Sequence, residues 1–90
     1  MRANKLLFFC VIINLTGCSA LQLEEPAKMT DAELCFLIGY NQEKGDIDRL
    51  QEIMNEVKKR ESKNLVTLSS DECAVYASTG VKKYNQIINN

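Results

Sequence analysis

The most reactive side chains in this 90-residue sequence are four cysteines: Cys10, Cys18, Cys35 and Cys73. A cysteine thiolate can act as a nucleophile, accept a covalent modification, bind a metal or form a disulfide. Histidine, the commonest general base and metal ligand, does not occur in the sequence. A serine–histidine–acid triad is therefore excluded. We predict no catalytic, cofactor-binding or metal-binding residues and no enzyme activity.

The first seventeen residues have the pattern of a signal peptide. Arg2 and Lys5 supply positive charge, and residues 6–13 form an apolar run. This run is too short to remain in the membrane as a helix, which needs about 20 residues. We therefore predict that residues 1–17 are removed and that Cys10 leaves with them.

Cys18 closes the sequence Leu15-Thr16-Gly17-Cys18, which resembles the lipobox of bacterial lipoproteins. The small residues Thr16 and Gly17 give the processing enzymes access, and only a thiol is a good enough nucleophile to accept the lipid. The resemblance implies lipidation of Cys18, cleavage before it and acylation of the new amino terminus. Ser19 in the next position implies transport to the outer membrane, with the mature protein facing the periplasm or the cell surface.

A second interpretation of the same stretch is an ordinary secretory signal that is cut after Ala20. Residues 18–20 place small side chains where that cleavage site requires them. We favour the lipoprotein because all four lipobox positions fit. Acyl chains stabilise membrane association by about 0.8 kcal/mol per buried CH₂, so two or three chains would make the membrane a permanent partner.

The mature protein is small and mildly acidic. It would have 73 residues, with nine basic and twelve acidic side chains and a net charge of −3. This charge does not indicate a nucleic-acid partner, which would require a basic surface. Residues 18–28 are polar and contain Pro26, and we predict a tether about 35 Å long when fully extended. Residues 29–90 would then form the folded domain.

Three helices are predicted in this domain. Two begin with a capping box, in which a hydroxyl side chain is followed three residues later by glutamate: Thr30 with Glu33, and Ser69 with Glu72. Met29 and Leu34 flank the first box as a hydrophobic staple. Gly45 is expected to end or interrupt the first helix, and apolar residues at helical spacing predict the second over residues 46–61. The predicted fold class is an all-α, three-helix domain.

Several side chains in these helices have two interpretations. Gly80 destabilises the third helix by about 1 kcal/mol relative to alanine, and it would permit close approach of a neighbouring backbone. A basic run ends the second helix, where the dipole favours cations; we expect a solvated helix end rather than a patch for phospholipid or a partner. Three tyrosines are expected in the core, the alternative being a recognition surface. The basic run is Lys58, Lys59 and Arg60, and the tyrosines are Tyr40, Tyr76 and Tyr84.

Cys35 and Cys73 each lie about one turn inside a capped helix, on its apolar face. Paired cysteines are expected to be joined in an oxidising compartment, and with Cys18 lipidated only these two thiols remain. In the chain-entropy model such a bond would contribute on the order of 3.5–4 kcal/mol. A redox dithiol is a weaker alternative because the two positions are 38 apart, and a metal site is weaker still because there is no imidazole ligand.

Three short motifs in the mature sequence resemble a helical module of small uncharacterised lipoproteins of enterobacteria and their phages: ELC at 33–35, EVKKR at 56–60 and LSSDEC at 68–73. The resemblance implies no binding residues. We predict a membrane-anchored lipoprotein that acts through contact with another envelope protein, with no small-molecule substrate. The outer face of the second helix is the expected contact surface because its mixed charge is densest. The alternative is a phage- or plasmid-encoded exclusion or conversion lipoprotein that blocks a surface receptor or a transfer machine.

Overall fold

The structure, a computed structural model, describes residues 22–89. This part of the chain contains three helices and no strand: α1 (Asp31–Lys44), α2 (Ile47–Ser62) and α3 (Ser70–Ile88). A single 3₁₀ turn, Pro26–Lys28, precedes them. The predicted all-α, three-helix fold is therefore confirmed. The predicted signal peptide and the lipidation residue Cys18 lie outside the described residues.

The first helix begins and ends where the sequence predicts. Thr30 Oγ1 accepts a hydrogen bond of 3.1 Å from the Glu33 backbone N–H, and the Glu33 carboxylate accepts one of 2.8 Å from the Thr30 N–H. Met29 and Leu34 are both buried in the core, which completes the staple. Gly45 follows the helix with φ 82°, a left-handed conformation that glycine adopts without steric penalty.

The N-terminal caps of the other two helices are formed by residues three positions apart. Asp46 accepts a hydrogen bond of 3.1 Å from the Arg49 N–H at the start of α2. At the start of α3, Ser69 and Glu72 form the second predicted capping box, with bonds of 3.1 and 2.9 Å. Residues 63–69 connect α2 to α3, and Asn64 has a left-handed φ of 57° within this linker.

The second helix runs antiparallel to the first. The two helices are joined by the short turn at Gly45, and Arg60 in the last turn of α2 donates to Asp31 in the first turn of α1. We call the end of the domain that contains this turn the hairpin end, formed by residues 41–48 together with the last residues of α3. The opposite end, which contains the linker 63–69, is the loop end.

The third helix runs parallel to the first. Cys35 is joined to Cys73 near the start of both helices, and the rings of Tyr40 and Tyr84 pack edge to face further along, with centroids 5.5 Å apart. Because both contacts follow the same order along the two helices, the C-terminal ends of α1 and α3 lie together. Residues 84–89 therefore complete the hairpin end.

Two glycines allow α1 and α3 to approach closely. A methyl group at Gly39 would overlap the carbonyl oxygen of Ala77, and one at Gly80 would overlap the carbonyl oxygen of Phe36. The close approach that Gly80 predicts is confirmed. Gly39 makes the matching contact on α1, so the two backbones meet at residues without side chains.

The core is formed mainly by one face of α1 against α2 and α3. Leu34, Leu37 and Ile53 are completely buried, and Tyr40 is 7% exposed. Tyr84 packs against this cluster. Two of the three tyrosines are therefore core residues as expected, and the third, Tyr76, is 41% exposed on α3.

Residues 22–29, most of which were predicted as part of the tether 18–28, are bonded to the helices at several points. The side-chain amides of Gln22 and Asn41 form two reciprocal hydrogen bonds of 2.8 and 3.0 Å. Further along, Arg49 donates to the carbonyl of Glu24. Sequence periodicity gives no sign of this packing because long-range bonds to side chains hold the segment. We call residues 22–29 the strap.

The strap passes from the hairpin end to the loop end. It begins at Gln22, which is bonded to Asn41 near the end of α1, and it finishes at Met29, whose carbonyl accepts a bond of 2.7 Å from Arg60. The chain therefore enters the domain at the hairpin end. Within residues 22–89, no helix is both long and apolar enough to cross a membrane.

Candidate functional site: an apolar cleft at the loop end

A cleft of about 330 Å³ opens at the loop end of the domain. Apolar side chains and the disulfide form most of its lining, and a few polar groups stand among them. Its principal lining residues are Leu34 and Cys35 of α1, Val57 and Glu61 of α2, Val66 and Leu68 of the linker, and Ser70, Cys73 and Ala77 of α3.

The cleft follows from the way in which the three helices pack. α2 and α3 pack against α1 much more than against each other, and the glycine contact holds α3 close to α1. The space between α2 and α3 is left to the linker, which fills it only in part. Val66 remains 37% exposed as a result, while Val57 and Leu68 are half-buried.

The disulfide between Cys35 and Cys73 lies at this cleft. The two sulfurs are 2.04 Å apart and the two Cα atoms 5.3 Å apart. The predicted pairing is confirmed, and it joins α1 to α3 next to their capped N-termini. Cys35 is only 4% exposed. Cys73 is half-buried, so burial alone does not exclude thiol–disulfide exchange. The separation of 38 positions is what favours the structural bond over the redox alternative.

Asp31 stands at the rim of the cleft and ties three segments together. One carboxylate oxygen accepts a bond of 2.8 Å from Arg60, and the other accepts bonds of 2.7 and 2.8 Å from the N–H and hydroxyl of Thr67. The Thr67 backbone N–H, followed by the Arg60 guanidinium, holds the pKa of this carboxyl below its ordinary value. The sequence indicates only that Asp31 lies at the positive end of the helix dipole.

Arg60 is an internal link between segments, so the prediction that it belongs to a solvated helix end is wrong. Its side chain is 14% exposed and pairs with both Asp31 and Glu56 at 2.8 Å. It also donates to the carbonyls of Pro26, Ala27 and Met29 at 2.7–3.3 Å. A planar guanidinium has five donors, which lets one side chain bridge two helices and the strap.

Two cations of α2 are directed inward. Arg49 and Arg60 lie four residues before and seven residues after the buried Ile53, on the same side of the helix, and donate to the strap carbonyls. The outer face keeps exposed charges of both signs, namely Asp48, Glu52, Lys58 and Lys59. The exposure of the two lysines agrees with a solvated helix end.

Two polar groups at the rim of the cleft are engaged in hydrogen bonds within the fold. The Ser69 hydroxyl is occupied as the cap of α3, and the Asp31 carboxylate by Arg60 and Thr67. No cluster of three potential metal ligands occurs among residues 22–89. No protein-family model, curated protein or solved structure matches the chain.

Proposed function

We propose that this protein is a small lipoprotein of the bacterial cell envelope, anchored by acyl chains on Cys18 and active through contact with another envelope protein. The observation that carries the proposal is the complete lipobox, residues 15–18, behind a signal-peptide pattern. The bond between Cys35 and Cys73 supports it, because disulfides persist in oxidising compartments such as the periplasm. Ser19 supports delivery to the outer membrane.

The anchor would act by raising local concentration. Confining a protein to a surface turns a weak contact into one made at high effective concentration. The strap makes this confinement tight, because Gln22 is already bonded to α1 and only residues 19–21 separate it from Cys18. Four peptide units span at most about 14 Å, so the domain would lie close to the membrane surface.

We place the protein contact at the cleft. Its lining of Leu34, Val57 and Leu68 with Asp31 and Glu61 nearby matches the usual anatomy of an interface, an apolar centre with a polar rim. The partner would insert apolar side chains between α2 and α3. The outer face of α2, which we expected from the sequence to make this contact, is the second candidate surface.

In-cell photocrosslinking separates the two surfaces. A photoreactive amino acid at Val66 would sit in the mouth of the cleft, and one at Asn55 would sit on the outer face of α2, opposite the buried Ile53. We expect one envelope protein, identified by mass spectrometry, to be crosslinked from Val66 and not from Asn55. Crosslinks from Asn55 alone would assign the contact to α2, and none from either position would contradict a protein contact.

A further inference from the structure

Four large apolar side chains are exposed at the hairpin end of the domain. Leu23 is 87% exposed, Ile47 63%, Ile87 47% and Ile88 56%. They come from three separate parts of the chain, namely the strap, the start of α2 and the end of α3. Exposed apolar side chains that gather at one end of a domain form the kind of surface that binds a protein or a membrane.

The topology brings these three parts to one end. Ile47 follows the turn at Gly45, and Leu23 follows Gln22, which is bonded to Asn41 near the end of α1. Ile87 and Ile88 lie about one turn beyond Tyr84, whose ring packs against Tyr40. Because α1 and α3 are parallel, the last turn of α3 ends beside the last turn of α1.

The chain leading to Cys18 leaves the domain from this same end. The two bonds between Gln22 and Asn41 fix the exit point, and Cys18 is four residues earlier, which bounds its distance to about 14 Å. Asn41 lies ten residues beyond Asp31, the first residue of α1, so the loop end lies about 15 Å from this exit point. A lipid on Cys18 would therefore bring the hairpin end to the membrane first.

We infer that the hairpin end lies on the phospholipid bilayer and inserts its apolar side chains at the boundary between headgroups and acyl chains. This inference rests on the proposed lipid anchor at Cys18. The exposed charges next to the apolar residues have both signs, with Lys44 beside Glu43 and Asp48. The surface therefore suits a largely zwitterionic bilayer and would bind through apolar contact. This orientation turns the cleft at the loop end outward, toward a partner.

Single tryptophan reporters test this orientation, since the chain contains no tryptophan. Ile87→Trp and Leu23→Trp report on the hairpin end. Val75→Trp is the matched control, because Val75 is 65% exposed on the same helix and lies twelve residues, or about 18 Å, before Ile87. Each full-length variant is purified from membranes and reconstituted in vesicles of phosphatidylethanolamine and phosphatidylglycerol with brominated acyl chains, and the Cys35–Cys73 bond confirms its fold.

We expect the protein to float with the vesicles. The brominated chains should quench the fluorescence of both hairpin-end reporters and leave the fluorescence of Val75→Trp unchanged. Any other quenching pattern in floating protein, including equal loss at Val75 and Ile87, overturns the orientation and leaves the lipid anchor intact. Protein that does not float with the vesicles contradicts the anchor, and the orientation fails with it.

Discussion

The side-chain amides of Gln22 and Asn41 hold each other by two reciprocal hydrogen bonds of 2.8 and 3.0 Å. Asn41 is completely buried in α1, and its amide also donates to the carbonyl of Leu37 at 2.9 Å. A buried amide without partners would be strongly destabilising. Gln22, four positions after Cys18, is therefore attached to the core itself, and with the proposed lipid anchor this attachment would set how the domain is presented to a membrane.

Replacing Gln22 should therefore destabilise the fold. In Gln22→Ala the buried Asn41 amide loses two of its three bonds, and we expect a loss of about 1–3 kcal/mol in the free energy of unfolding. Urea unfolding measured by circular dichroism gives this quantity. The control is Gln42→Ala, a neighbouring exposed residue of α1. Equal stability of the two variants would show that the strap is not held by Asn41.

Acid should weaken the loop end through Asp31. Its pKa is lower in the folded state because Thr67 and Arg60 favour the ionised form. The contribution to stability is therefore complete above the unfolded pKa of about 3.9 and is lost as the pH falls toward the folded pKa. We expect the free energy of unfolding of the parent protein to fall more steeply than that of Asp31→Asn below about pH 4. Parallel curves would contradict the assignment.

The close contact between α1 and α3 at Gly80 predicts whether Gly80→Ala raises or lowers the stability of the protein. Helix propensity alone predicts that Gly80→Ala stabilises the protein by about 1 kcal/mol. The structure predicts the reverse, because the new methyl group would overlap the carbonyl oxygen of Phe36. Ser78→Ala on the exposed side of α3 is the control and should be neutral or slightly stabilising. A raised melting temperature for Gly80→Ala would refute the close approach.

The disulfide should supply much of the stability of so small a domain. Replacing Cys35 and Cys73 together by alanine opens a loop with a sequence separation of 38, and we expect a loss on the order of 3.5–4 kcal/mol. A core of this size contributes only about 3–5 kcal/mol by itself. The double variant should therefore be marginally folded by circular dichroism. A variant that unfolds at the same urea concentration as the parent would mean that the bond is dispensable.

The features that could be predicted from the sequence are local ones. The capping boxes at Thr30 and Ser69 and the turn at Gly45 depend on residues within four positions of each other. The pairing of Cys35 with Cys73 could be predicted because the expected loss of Cys10 and lipidation of Cys18 leave no other thiol. Each of these features needs only residue type and spacing.

The features that were missed depend on contacts between distant positions. Arg60 donates hydrogen bonds to residues that lie 29 to 34 positions earlier in the sequence. Helical spacing cannot indicate such distant partners. The cleft arises from how three helices share one core, which no single segment encodes. One usable signal was Asn41, a polar residue directly after the apolar run 34–40, because a buried amide requires a partner.

Metabolic labelling tests the central claim, the lipid on Cys18, most directly. Cells expressing the full chain or Cys18→Ala are grown with labelled palmitate, and the protein is isolated under non-reducing conditions so that the intact Cys35–Cys73 bond verifies its fold. We expect label in the parent protein, an N-terminal peptide that begins at the acylated Cys18, and no label in the variant. An unlabelled parent protein, or a variant that still takes up palmitate, would contradict the lipoprotein assignment.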